Sequence, residues 1–319
     1  MKAKAKPSVN MTVKLAGLEL RTPILLASGT CGWGTEFDGI ERFASDAVGA
    51  VVLKGTTLAP REGNRTPRIV ETAGGAGILN SIGLQNPGAD YVVKEYLPKL
   101  KGMRAKVIAN VAGATPEEYA AVTRKLADHE RVDAVEVNVS CPNVKHGGMQ
   151  FGADPALCAE VVGCCRRATQ KPLIVKLSPN VTDIRLIAKA AVDAGADALT
   201  GVNTYLGTAV DVRTRKAILG NVTGGLSGPA VKPLSLLKVM EVSRWLGESK
   251  RLTPIIASGG IVSGEDALEF LVVGARAFMI GTVLFADPLA PARILDEMRA
   301  LMAELKLTDV NEIIGTLKT

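Results

Sequence analysis

The chain has 319 residues, 47% of them hydrophobic and 22% charged, which is ample apolar material for a core and not the composition of a disordered polypeptide. Its formal charge of +6 is spread along the chain without a Lys/Arg run, and aromatics are only 4%, so nucleic-acid binding is not expected. The longest apolar runs, such as 277–285, reach about half the roughly 20 residues of a membrane span, and the basic N-terminus lacks the apolar centre of a signal peptide; a soluble cytoplasmic protein is expected.

The first element is "MTVKLAGLELR" (11–21), which alternates around Gly17 and reads as a hairpin covering the bottom of the fold. Eight short apolar, β-branched runs follow, at 23–28, 50–56, 106–111, 134–140, 173–178, 198–204, 254–259 and 277–282. Amphipathic segments lie between most of them, for example 116–130, 181–195 and 263–274, with apolar residues three and four apart. Gly195 and Gly274 stand just past helices, where a residue tolerant of positive φ ends them. Strands buried on both faces read as continuous apolar runs, and eight of them alternating with helices predict an α/β fold, a (β/α)8 TIM barrel occupying 1–319 as one domain. A doubly wound open sheet is the alternative. The gaps 57–105 and 205–253 carry Gly- and Pro-rich loops longer than ordinary connections, and such loops are usually functional.

Barrel enzymes place their chemistry at the C-terminal ends of the strands. Those ends carry Ser28, Lys54, Asn110, Asn138 with Ser140, Lys176, Asn203 with Thr204, Gly259 with Gly260, and Gly281 with Thr282. After the seventh strand "SGGI" and "SGED", and after the eighth "GT", are expected to offer backbone N–H groups beside helix starts, which is where this fold binds phosphate. Glycine suits these positions because a Cβ would keep the backbone from closing on the oxygens. Lys54 and Lys176 follow apolar runs and are expected to point into the barrel mouth. Either a Schiff-base lysine or a fixed positive charge beside an electron-rich ring satisfies that position, leaving a phosphosugar aldolase or isomerase using Lys176 beside a flavin-mononucleotide oxidoreductase.

The five cysteines, at 31, 141, 158, 164 and 165, show no CxxC pairing, so no metal or iron–sulfur cluster is expected within this chain. Cys158, Cys164 and Cys165 fall on a helical segment where packing is their expected role, and Cys31 reads as a small filler. Cys141 differs, because it stands between a serine and a proline where the fourth strand must turn out of the barrel. A thiol there suits oxidation across a carbon–carbon bond, which needs a base for one hydrogen while a flavin takes the other as hydride. The following "KHGGMQFG" reads as a closing loop, with His146 as a loop residue.

Taken together, "NVSCPNVKHGGMQFG", "NSIGLQNPG", "VLKGTT", "VKLSPN", "GVNTYLGTAVDVRTRK" and "GGLSGPAVKP" resemble the dihydroorotate dehydrogenases, specifically the class 1B catalytic subunits, over nearly the whole chain from about Val13. The resemblance implies FMN held by Ser28, Lys54, Gly55, Asn110, Asn138, Lys176, Val202 and Gly228, with its phosphate on Gly259, Gly260, Gly281 and Thr282. It implies dihydroorotate bound by Lys54, by the loop Asn80, Ser81, Ile82, Gly83 and Leu84, and by Asn138, Asn203 and Thr204. Cys141 is then the base that removes the C5 proton while hydride passes from C6 to flavin N5, in a reaction of pyrimidine (UMP) biosynthesis. Class 1B further implies a separate electron-transfer subunit carrying FAD and a [2Fe–2S] cluster, two of each subunit forming a heterotetramer that delivers electrons to NAD+. The class 1A alternative is a homodimer that reduces fumarate. A catalytically silent barrel that only binds FMN is the remaining possibility outside the enzymes.

Overall fold

The computed structural model describes residues 9–40, 43–140 and 151–318. Eight parallel strands close into a barrel: β1 (Ile24–Leu26), β2 (Ala50–Val52), β3 (Lys106–Val111), β4 (Ala134–Asn138), β5 (Leu173–Lys176), β6 (Ala198–Gly201), β7 (Ile255–Ser258) and β8 (Ala277–Ile280). Each strand pairs with the next in sequence and β8 returns to β1, with Ile280 opposite Leu26. All eight lie within the apolar runs read from the sequence, and they are almost wholly buried because helices cover the outside while side chains fill the inside.

The outer helices are α1 (Pro116–Ala127), α2 (Pro155–Ala168), α3 (Ile184–Asp193), α4 (Lys232–Glu248), α5 (Gly264–Val272), the short α6 (Val283–Ala286) and α7 (Ala290–Glu304). Local chemistry sets their ends. Thr115, Asp154, Asp183 and Ser263 cap α1, α2, α3 and α5 by accepting hydrogen bonds from first-turn N–H groups. Gly195 and Gly274 end α3 and α5 at φ of 107° and 112°, as their positions in the sequence predict.

The hairpin Val13–Leu15 with Leu18–Leu20 turns through Ala16 and Gly17, both at positive φ, and buries Val13, Leu15 and Leu20. It sits at the N-terminal end of the barrel. A Cβ on Gly49, the residue before β2, would lie 3.3 Å from Leu20 Cβ and 2.2 Å from the Thr22 carbonyl oxygen.

The two long loops differ from the irregular connections their composition suggests. They supply the strands of a four-stranded antiparallel sheet, in the order Tyr205–Thr208, Thr223–Ser227, Ile78–Asn80, Ile69–Glu71. Asn80 pairs with Gly225 across this sheet, and its Nδ2 donates to the Gly225 carbonyl at 3.2 Å. Glycine is required at 225 because a Cβ there would fall 2.0 Å from Thr204 Oγ1. Two segments about 150 residues apart are thereby joined over one end of the barrel.

Candidate functional site

A cleft of about 350 Å³ opens between the C-terminal ends of the strands and the four-stranded sheet. Its lining includes Ser28 after β1, Lys54 and Gly55 after β2, Asn138 and Lys176 at the last positions of β4 and β5, and Val202, Asn203 and Thr204 after β6. The Gly201–Val202 peptide at this edge is cis. Gly259 and Gly260 after β7, Gly281 and Thr282 after β8, and Gly228 complete the strand-end set. The sheet contributes Asn80, with Ile82, Gly83 and Leu84 following it.

Two predicted residues stand apart from the lining. Ser81 is fully buried; its Oγ accepts from Asn64 Nδ2 at 3.0 Å and its N–H donates to the Arg68 carbonyl. In extended chain successive side chains point to opposite sides, so Asn80 and Ile82 face the cleft and Ser81 faces away. Asn110 is fully buried below the cleft floor, beneath Gly55: a Cβ on Gly55 would meet Asn110 Oδ1 at 3.0 Å. Ser140 is likewise buried and braces the site from outside, its Oγ donating to the Lys176 carbonyl at 3.1 Å and accepting from Asn203 Nδ2 at 2.9 Å.

The amide groups are held in place. Asn203 Nδ2 donates to Asn138 Oδ1 at 3.2 Å, and Thr204 N–H donates to Asn203 Oδ1 at 2.8 Å. Tyr119 on α1 donates its hydroxyl proton to the Asn138 carbonyl at 2.8 Å. The Ser28 hydroxyl donates to the Leu53 carbonyl at 2.7 Å.

Both lysines face the cleft. Lys176 is only 7% exposed and forms no ion pair or hydrogen bond through Nζ among the described residues. Burial holds the Lys54 ammonium below the usual lysine range; Glu36 opposes this shift and Arg68 adds to it. Neither lysine extends away into solvent.

The glycine-rich end agrees with the sequence reading in position but not in its donors. The N–H groups of Val262 and Ser263 both donate to Asp266 Oδ2, Asp266 N–H donates to Ser263 Oγ, and Gly264 N–H donates to Glu297. The expectation that "SGED" offers free N–H groups is therefore corrected for Ser263, Gly264 and Asp266, and of that segment only Glu265 N–H has no partner among the described residues. Donors without partners among the described residues include the N–H groups of Gly259, Gly260, Ile261, Gly281 and Thr282. Gly259 and Gly260 hold φ of 125° and 78°, where a Cβ would meet Ser235 Oγ at 2.2 Å and Lys232 N at 2.7 Å. Such a concavity of free N–H groups suits an anion.

Sequence reasoning missed the apolar wall made by Ile78, Leu226 and Met279, and Ser227, whose Oγ accepts from Thr282 Oγ1 at 2.9 Å. It also passed over Glu136, fully buried in β4 below Asn138; an acid inside the apolar run "AVEVNVS" was the available signal. Cys141 and His146 lie outside the described residues. Cys31 is fully buried, and its Sγ donates to the Val52 carbonyl at 3.2 Å; burial raises its thiol far above the ordinary range. Burial also pushes Cys158 and Cys165 on α2 up to about 12. These three are packing residues, as the sequence suggested. Among the described residues no cluster of metal-binding side chains occurs, and no helix is long and apolar enough to cross a membrane.

Among the described residues the arrangement fits a phosphate-bearing heterocycle: free N–H groups at one end, a buried lysine without a partner in the middle, and the orphaned acceptor Asn110 Oδ1 beneath Gly55. The family model described as dihydroorotate dehydrogenase matches residues 10–302. The dihydroorotate dehydrogenase B (NAD(+)) catalytic subunit of Pelobacter propionicus is 50% identical over 309 residues, covering 97% of this chain and 99% of the relative. The protein of the same name from Geobacter sulfurreducens is 50% identical, covering 97% and 98%. The fold matches the crystal structure of the Eimeria tenella dihydroorotate dehydrogenase in complex with ferulenol with a TM-score of 0.82 at 23% identity, over 98% of this chain and 90% of that one. The chain is an oxidoreductase that belongs to the dihydroorotate dehydrogenase family.

Proposed function

We propose that this chain is a class 1B catalytic subunit that oxidises dihydroorotate to orotate in pyrimidine biosynthesis. The observation that carries the reading is the cleft itself, where an anion cradle, two lysines and three oriented asparagines (Asn80, Asn138, Asn203) line one cavity. Membership of the family implies FMN. Gly259, Gly260, Gly281 and Thr282 would hold its phosphate, and Ser28, Lys54, Gly55, Asn110, Asn138, Lys176, Val202 and Gly228 the remainder. Bound FMN would supply the acceptor for the hydride leaving C6 of the substrate.

The chain's own residues supply the rest. Asparagine suits the cyclic imide of dihydroorotate because its amide both donates and accepts, and Asn138 and Asn203 are locked by hydrogen bonds to each other and to their neighbours. Lys54 meets the substrate carboxylate as a cation. Cys141 removes the proton from C5; it follows Ser140, which β4 and Asn203 hold at the cleft edge. The electron-transfer subunit carries FAD and a [2Fe–2S] cluster, forms a heterotetramer with two copies of this chain, and passes electrons to NAD+ in the cytoplasm. Support for a partner comes from the relatives' name as catalytic subunits and from Ile69 and Phe285, exposed apolar side chains on the cleft rim.

The purified chain is expected to be yellow, with absorbance near about 450 nm from a flavin carrier, and to bleach anaerobically on addition of dihydroorotate. A colourless chain that borohydride couples to a carbonyl substrate through Lys176 overturns the reading in favour of an aldolase. Fumarate reduction by the chain alone replaces class 1B with class 1A.

Lys54 carries a pH prediction. Its protonated form binds the substrate carboxylate, and its pKa is lowered by burial. The charge is therefore lost as pH rises through a value below the usual lysine pKa of about 10.4, and KM for dihydroorotate rises on the alkaline side earlier than an ordinary lysine would allow. KM measured between about pH 7 and 10 is expected to show this limb in the native chain and not in Lys54→Gln. An unchanged limb in the variant excludes Lys54 as its source.

A further inference from the structure

Glu136 is fully buried in the barrel interior, two residues before Asn138 on β4 and so on the same inward face. It is opposite Asn110 in the β3–β4 register. Asn110 Nδ2 donates to Glu136 Oε1 at 2.7 Å, and Thr200 Oγ1, from β6, donates to Glu136 Oε2 at 2.7 Å. Both carboxylate oxygens thus have donors, and the bonds join three barrel strands directly under the cleft. Asn110 Oδ1, the other end of the same amide, is buried beneath Gly55, which lines the cleft, and has no partner among the described residues.

An asparagine amide has a donor end and an acceptor end and can rotate to exchange them, whereas an ionised carboxylate only accepts. A carboxylate below Asn110 therefore admits one orientation: NH2 downward and carbonyl oxygen upward. We propose that Glu136 is a positioning residue that fixes the Asn110 amide with its oxygen toward the cleft, where it accepts a hydrogen bond from an N–H group of the bound heterocycle. This rests on the FMN reading above. Leaving a buried acceptor unsatisfied is unfavourable, so the ligand that supplies the donor binds more tightly for it.

The test is a charge-and-amide exchange read by FMN affinity and by the visible spectrum of the bound flavin. Glu136→Gln places a group that can either donate or accept under Asn110, so the amide is no longer held in one sense. Asn110→Asp sets two carboxylates face to face. Each single variant is expected to bind FMN about tenfold more weakly, the size of one lost hydrogen bond, with a displaced flavin absorption band. In the double variant the amide at 136 donates to the carboxylate at 110, whose other oxygen again faces upward, so it is expected to bind more tightly than either single variant. Glu136→Gln binding FMN as the native chain does, or a double variant no tighter than the singles, overturns the assignment and leaves the proposed function standing. A native chain that takes up no FMN overturns both.

Discussion

Replacing Cys141 by alanine lowers the rate at which dihydroorotate bleaches the flavin by about 10²- to 10⁴-fold, the range over which a positioned general base contributes. FMN content stays that of the native chain, because none of the positions proposed above to hold FMN is Cys141. A free thiol titrates near about 8.5, so modest stabilisation of the thiolate suffices for a base at neutral pH. Cys31, Cys158 and Cys165 cannot substitute, since burial raises all three thiols. Cys141→Ser is expected to retain a slow reaction that quickens as pH rises, because a hydroxyl gives up its proton far less readily. Rapid-mixing absorbance at neutral pH measures all three proteins, and equal rates in native and alanine chains would remove the base from Cys141.

Gly260→Val empties the site of cofactor. Position 260 combines φ of 78° with a Cβ direction that meets Lys232 N at 2.7 Å and Lys232 Cβ at 2.8 Å. The obstacle is the backbone at the start of α4, which a rotamer change cannot clear. A β-branched residue in the left-handed region adds about 1–3 kcal/mol of strain, so the loop moves and its N–H leaves the cradle. Loss of two charge-assisted hydrogen bonds to phosphate, each worth about 1.5–3 kcal/mol, lowers FMN affinity by more than about 100-fold. The variant is expected to purify colourless and to melt a few degrees below the native apo chain. Gly39→Val serves as the control, because a Cβ at Gly39 meets nothing within 4 Å; if it loses FMN as completely, the cradle explanation fails.

Much of the architecture was legible in the chain because a barrel strand buried on both faces is mostly apolar, and all eight runs were, with Glu136 and Thr200 among the polar exceptions inside strands. The strand-end residues were legible for a related reason: Asn138, Lys176 and Asn203 are polar groups where an apolar run stops, and in a closed barrel those stops converge on one mouth. The roles assigned to FMN, dihydroorotate and Cys141 came from the family resemblance carried by six ordered motifs. Composition and periodicity left flavin and aldolase chemistry both open.

Only the tertiary structure decided how the two long loops meet and which donors remain free. Their strands are short and weakly patterned, so the pairing of Asn80 with Gly225 depends on a close backbone approach that no local signal announces. The sequence around Ser263 suggested an anion site at the start of α5, but Asp266 and Glu297 already fill that helix end, and the latter comes from α7, 33 residues further along. Glu136 shows the same limit. Its acid character was visible within a strand, yet its grip on Asn110 and Thr200 exists only because barrel closure brings β3, β4 and β6 around one buried carboxylate.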